Sequence, residues 1–121
     1  MEINMREVKG FEDLEVFQKA YKLSLEIHGL SLTLPKLDQT DLASQMRRGS
    51  KSICSNLAEG FGKQSISKAE FKRFILMSMG SADEMRVWVR YCYDFRIFKR
   101  ARMVILQRCV STNSKNAKQF T

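Results

Sequence analysis

Lysine and arginine dominate the side chains able to do chemistry in this 121-residue sequence. Arg47 and Lys51 stand four residues apart with Arg48 beside them, so on a helix they share part of one face. Lys68 and Lys72 repeat the spacing with Arg73 adjacent, and Arg86 and Arg90 repeat it further on. Lys63 lies between the first two sets, so in a helical hairpin Lys63, Lys68 and Lys72 cluster at one end. A ridge of this kind tracks phosphates along a backbone, and its binding weakens with salt as counterions are released. The rival reading is a solvated face with internal ion pairs, which is how most surface charge behaves. Base-reading signals are absent: no RRM aromatic motif, no helix-turn-helix spacing, no zinc finger. Binding is therefore expected to be backbone-directed and weakly sequence-selective.

A second constellation is Asn56, Glu59 and Gly60, near the expected end of a helix. Asn56 and Glu59 flank the apolar Leu57 and suit a polar network that holds the helix end against a neighbour. A glutamate near a helix C-terminus opposes the dipole, which predicts an arginine partner. The role expected of this cluster is structural.

Catalytic and metal chemistry find little support. His28 is the only histidine, no CxxC or HExxH is present, and His28 falls on the flank of an apolar helix face. A Ser-His-Asp triad would have to use the same histidine, and no serine sits in a nucleophile elbow. Gly60-Phe61-Gly62-Lys63 and Gly49-Ser50-Lys51-Ser52 fit neither GxxxxGK[ST] nor GxGxxG. Asp83 and Glu84 are adjacent, so on a helix they point to different faces. The expectation is a protein that is not an enzyme and carries no metal or cofactor.

The formal net charge is +8, and it is unevenly placed. Residues 1–60 carry a net −1 and residues 61–121 a net +9. From Arg96 onward there are seven basic residues and no acidic one. Such asymmetry favours a polyanion-facing surface over a uniformly solvated one. Three widely spaced cysteines, Cys54, Cys92 and Cys109, give no disulfide framework. No signal-peptide core and no apolar run of about 18 residues is present, so a cytoplasmic protein with no membrane partner is expected.

These residues must be positioned by helices. The longest candidate runs from Ser67 to Phe95, about 43 Å at ~1.5 Å per residue. It starts with Ser67 and Glu70 in capping-box positions. Its expected seam is Phe71, Phe74, Ser78, Ser81, Met85, Trp88, Cys92 and Phe95, with a small waist at Ser78 to Ala82 that admits a neighbour closely. A first helix is predicted from about Glu12 to Leu34, ended by Pro35. Its stripe is Val16, Ala20, Leu23, Ile27, Leu30 and Leu34, and Leu14, Phe17 and Tyr21 widen it. A second is predicted from a Thr40 N-cap to terminators at Gly60 and Gly62, with Leu42, Met46, Ile53 and Leu57 inward. A fourth is predicted from about Lys99 to Val110. Residues 1–10 read as an N-terminal arm, 11–110 as the bundle and 111–121 as a polar, flexible tail. Alternation of period two is missing. The fold expected is all-α, an up-down-up-down antiparallel four-helix bundle.

Several motifs fall in an order that resembles the four helix bundle protein family. They are Phe11-Glu12-Asp13-Leu14-Glu15-Val16, Gln45-Met46-Arg47-Arg48, Ser55-Asn56-Leu57-Ala58-Glu59-Gly60-Phe61-Gly62, Phe71-Lys72-Arg73-Phe74 and Gly80-Ser81. Members include proteins encoded in intervening sequences of bacterial large-subunit ribosomal RNA genes and accessory proteins of diversity-generating retroelements. The resemblance implies a bundle that assembles into a homopentamer, with no enzymatic activity. It also implies a basic surface that, in retroelement members, meets nucleic acid and a reverse transcriptase. The chain departs from the family pattern at Cys54, where proline is usual, and in the wholly basic charge of its last quarter. The function expected is a homo-oligomeric basic bundle, pentameric as the resemblance implies, that binds RNA or DNA through phosphates. The alternative is a protein-interaction scaffold or accessory subunit, for example of a reverse transcriptase, without a nucleic-acid role of its own.

Overall fold

A computed structural model describes residues 8–120. Four α-helices make up the described chain: α1 Glu15–Leu32, α2 Leu42–Lys63, α3 Lys68–Asp94 and α4 Arg100–Lys118. Short 3-10 turns at Phe11–Asp13 and Lys36–Asp38 precede α1 and α2, and no strand occurs among the described residues. Each helix packs against the next, and α4 closes the ring onto α1. Short connectors make consecutive neighbours antiparallel, which is the up-down-up-down bundle the periodicity predicts. One end of the bundle therefore carries the α1–α2 connector and the α3–α4 turn. The other carries the start of α1, the α2–α3 turn and the end of α4.

The core follows from helical periodicity. Val16, Ala20, Leu23 and Ile27 of α1 are buried with Met46, Ile53 and Leu57 of α2. Ile75, Ala82, Met85, Val89 and Cys92 of α3 and Leu106, Val110 and Ala117 of α4 complete it. Each buried aliphatic side chain contributes about 1.5–3 kcal/mol. No helix of the described residues is long and apolar enough to cross a membrane.

Several boundaries differ from expectation. The helix predicted to stop at Val110 continues to Lys118, and the segment from residue 111, expected as a polar flexible tail, is helical through most of its length. Asn113 and Ala117 are buried there, and the Phe120 ring meets Phe71 edge-on at 6.0 Å. Docking onto the first turn of α3 supplies what weak helix propensity does not. Of the expected N-terminal arm, residues 1–7 lie outside the described residues. Val8 packs on the core, and the Lys9 amide donates to Asp13 Oδ2 at 2.9 Å.

Gly60 and Gly62 do not end α2, which runs through both to Lys63. Gly60 is instead a contact point: a Cβ there would lie 3.1 Å from Phe74 Cβ and 3.4 Å from the Phe71 carbonyl oxygen. Asp41 rather than Thr40 occupies the N-cap of α2, with no side-chain cap bond. Ser67 does cap α3, accepting from the Glu70 amide at 3.2 Å. The Glu70 carboxylate turns to Arg73 rather than completing the box. The seam of α3 is also rotated. Its buried stripe is Ile75, Ser78, Ala82, Met85, Val89 and Cys92, whereas Trp88 is half-buried and Phe95 is 58% exposed. The waist does admit α2 closely: Ser78 Oγ donates to the Ile53 carbonyl at 2.9 Å, and Ser81 and Ser52 hydroxyls meet at 2.8 Å.

Candidate nucleic-acid interface

The basic residues singled out by spacing do not form one ridge. Arg47 belongs to the interior corner between α1 and α2. Its Nη1 donates to Ser31 Oγ at 3.0 Å and to Gln39 Oε1 at 3.3 Å, and its Nη2 donates to the Gln39 carbonyl at 3.2 Å. Gln39 Nε2 in turn donates to the Ser31 and Leu34 carbonyls at 2.8 and 2.9 Å. These carbonyls belong to the last turn of α1 and the residues beyond it, where backbone acceptors lack helical partners. Arg47 and Gln39 thus latch the connector shut.

Arg48 and Lys51 are exposed and take part in no ion pair among the described residues. They lie on the outer surface of α2, about 22 Å along the helix from Lys63 to Arg48 at ~1.5 Å per residue. Lys63, Lys68 and Lys72 are exposed at the opposite end of the bundle, at the end of α2 and in the first turns of α3. Arg73 is occupied: it bridges Glu70 at 3.0 Å and lies 4.8 Å from the Phe74 ring centroid. Two separate cationic regions therefore replace the single track.

The polar cluster divides as well. Asn56 is buried, and its Nδ2 donates to the Ser52 carbonyl at 2.9 Å and to Ser52 Oγ at 3.1 Å. Through Ser52 it joins the hydroxyl pair with Ser81 that ties α2 to α3. Gly60 packs against α3, one helical turn further on. Glu59 faces solvent and has no ion-pair partner among the described residues, so the arginine expected for it is absent from this cluster.

Sequence reasoning about ridges missed the α3–α4 turn. Arg96, Lys99, Arg100 and Arg102 are all exposed there within seven residues. Arg96 adopts a left-handed backbone, φ 63°, as the residue after the helix end. Its amide donates to the Tyr93 carbonyl at 2.9 Å, and the Ile97 and Phe98 amides both donate to the Cys92 carbonyl at 2.8 and 3.0 Å. The turn so formed holds Arg96 and Lys99 around a shallow pocket with Tyr93, Asp94 and Phe98, and Arg102 lies 5.8 Å from the Phe98 ring centroid. The available signal was the acid-free composition from Arg96 onward.

No group of His, Cys, Asp and Glu suited to a metal ion occurs among the described residues. Burial pushes the Cys92 thiol up to about 12, helped by the negative charge of Asp38, and burial also raises Cys54. Both thiols are therefore protonated at neutral pH and serve as packing groups. Cys92 Sγ lies 3.6 Å from Met46 Sδ.

An antiparallel helical bundle with a largely basic, largely unpaired charged surface defines the class of protein. The chain belongs to the 23S rRNA-intervening sequence protein family, whose model matches residues 12–118. It is also similar to the crystal structure of a protein with unknown function from the S23 ribosomal protein family of Bacteroides thetaiotaomicron. That likeness has a TM-score of 0.77 at 18% identity and covers 86% of this chain and 92% of the other, and it shows the fold alone. No curated protein matches the chain.

Proposed function

We propose that this protein is a non-enzymatic, homo-oligomeric helical bundle that binds RNA or DNA through phosphate contacts with little sequence selectivity. The observation that carries the reading is the surplus of exposed cations without acidic partners. Only three ion pairs occur among the described residues, two of them using arginine and one lysine. Arg48, Lys51, Lys63, Lys68 and Lys72 stand outside all three. Cations held by neighbouring acids release few counterions on binding, whereas free ones release about 0.7–0.9 per phosphate contact.

The matching test is a titration against duplex and single-stranded RNA and DNA at rising salt. A steep log–log fall of affinity is the expected result. Salt-independent binding, or none at low salt, would remove the reading. In that case the protein is better read as a scaffold or accessory subunit with a protein partner, such as a reverse transcriptase. Exposed apolar side chains favour this second reading: Leu25 and Ile105 line an open groove between α1 and α4. The same groove suits contact between copies. A native mass near five times the 14.1 kDa chain is expected for the pentamer, and a single-chain mass would contradict it.

A further inference from the structure

Three aromatic side chains climb the outer edge of α3. Trp88 and Tyr91 are stacked, with centroids 6.2 Å apart and planes 24° apart. Tyr91 and Phe95 follow with centroids at 5.5 Å and planes at 44°. Tyr91 is 45% and Phe95 58% exposed, so the upper two rings are open to solvent. Trp88 forms the half-buried base of the ladder, packed on α2 so closely that a Cβ at Gly49 would lie 3.9 Å from its Cδ1. Its indole N–H is buried without a partner among the described residues. Large exposed aromatics cost hydration free energy, and here two, Tyr91 and Phe95, stand side by side where core burial does not require them.

The charges around the ladder say what covers it. Arg48, next to Gly49, is exposed and unpaired on the α2 side. Arg96 and Arg100 follow Phe95 in the α3–α4 turn and are likewise exposed and unpaired. Arg90 is bound to Asp94 at 3.1 Å, which neutralises that acid, while Asp38, whose charge reaches Cys92, and Asp83 are further acids near the ladder. Glu84, a turn before Trp88, is exposed and bounds the surface from below. The platform is thus about 10 Å long, from Trp88 to Phe95 at ~1.5 Å per residue, with guanidinium groups on its flank and at its end. Rings with exposed π-faces inside a cationic frame are the arrangement that takes unpaired bases, with the phosphates meeting the frame. A duplex hides its base faces in its own stack and gains nothing from the rings.

We propose that Tyr91 and Phe95, on the Trp88 base, form a stacking platform for unpaired bases of a single-stranded nucleic acid. The proposal rests on the nucleic-acid reading above and goes beyond it in strand type and in the residues used. A second copy of the chain is the other occupant such a face could take, and the test separates the two.

The double variant Tyr91→Leu, Phe95→Leu keeps apolar bulk while removing the π-faces. Wild type and variant are titrated with a single-stranded RNA 12-mer, the DNA of the same sequence and the RNA duplex. Loss of stacking on two rings is expected to weaken both single strands by roughly tenfold or more. Duplex affinity, the salt slope for the duplex and native mass are expected to stay as in wild type. Trp88 is the only tryptophan, so wild-type emission is expected to fall on addition of single strand and to hold on addition of duplex. Single-strand affinity unchanged in the variant overturns the platform, as does a changed native mass, which assigns the face to contact between copies. Wild-type emission indifferent to single strand overturns it without recourse to any variant. If wild type binds no nucleic acid at low salt, the general reading falls and takes the platform with it. Salt-dependent wild-type binding with no response to the two leucines removes the platform alone.

Discussion

Two adjacent arginines have different duties, and the difference is measurable. Arg47 makes three hydrogen bonds into the α1–α2 corner, whereas Arg48 makes none within the described residues. Removing a half-buried guanidinium strands its acceptors, which costs about 1–3 kcal/mol. Arg47→Ala is therefore expected to lower stability by about that amount in urea unfolding. Arg47→Lys should recover little, because an ammonium cannot span Ser31 and Gln39 with a planar fork. Arg48→Ala should stay within about 0.5 kcal/mol and instead lower the salt slope of nucleic-acid binding by about one. Equal loss of stability in both alanine variants would mean that the corner is not held by Arg47. The three cysteines make a second residue-scale contrast. Cys54 and Cys92 are buried and Cys109 is exposed. One equivalent of an alkylating reagent is expected to add to the native protein at neutral pH and three to the unfolded chain, as read by mass spectrometry. The raised Cys92 thiol also links stability to pH. Above pH 9 the unfolded chain loses this proton while the native state keeps it until about 12, so the unfolded state gains. Stability should fall through that window by up to about 1.4 kcal/mol per pH unit, and Cys92→Ala should flatten the slope.

Glycines report how closely the helices approach. Gly80 lies in the middle of α3 with nothing within 4 Å of the Cβ it lacks. Alanine there gains helix propensity with no clash, so Gly80→Ala should stabilise by roughly 0.5–1 kcal/mol. Gly60 would gain the same propensity, but its added methyl meets Phe74 Cβ at 3.1 Å, an atom fixed to the α3 backbone. Gly60→Ala should therefore destabilise, with the opposite sign to Gly80→Ala in parallel urea or thermal unfolding. Stabilisation by both would show that α2 and α3 stand further apart. This contrast also marks what local sequence reveals. The start of α3 was legible because Ser67 and its cap depend on neighbours four residues away or fewer. The break after α1 was legible because proline acts on its own backbone. The glycine roles were not, since a terminator and a packing notch have the same composition and differ only in what faces them. The length of α4 was hidden for a similar reason. Ser111, Thr112, Asn113 and Asn116 lower local propensity, and only burial of Asn113 and Ala117 against the bundle restores the helix. Among the site residues, the placement of Lys63, Lys68 and Lys72 around the α2–α3 turn was legible from a hairpin alone. The latch of Arg47 was not, because its partners Ser31 and Gln39 are brought by the geometry of the connector.

At the scale of the whole molecule, the charge proposed to serve binding works against the fold. Residues 61–121 carry a net +9, and α4 contributes cations with no acid of its own. Arg100 and Arg102 also lie in its first turn, where the helix dipole is positive and the N-cap, Lys99, makes no side-chain bond. Like charges held together in the native state repel more than they do in the expanded chain. Salt screens that repulsion over about 10 Å at 0.1 M. The melting temperature is therefore expected to rise between 0.02 and 0.3 M sodium chloride, by an amount greater than for an Arg100→Gln, Arg102→Gln variant. A bound polyanion should act more strongly at the same low salt. It neutralises cations in place and adds a stabilisation that grows with the logarithm of ligand over Kd, about 2.7 kcal/mol at a hundredfold excess. Salt and polyanion should then compete: added salt should shrink the thermal shift caused by an oligonucleotide while raising the baseline. A baseline that falls with salt would show that favourable pairs outweigh repulsion. A thermal shift that persists at high salt would show that contacts other than phosphates hold the ligand, and stacking on Tyr91 and Phe95 would then be the first place to look.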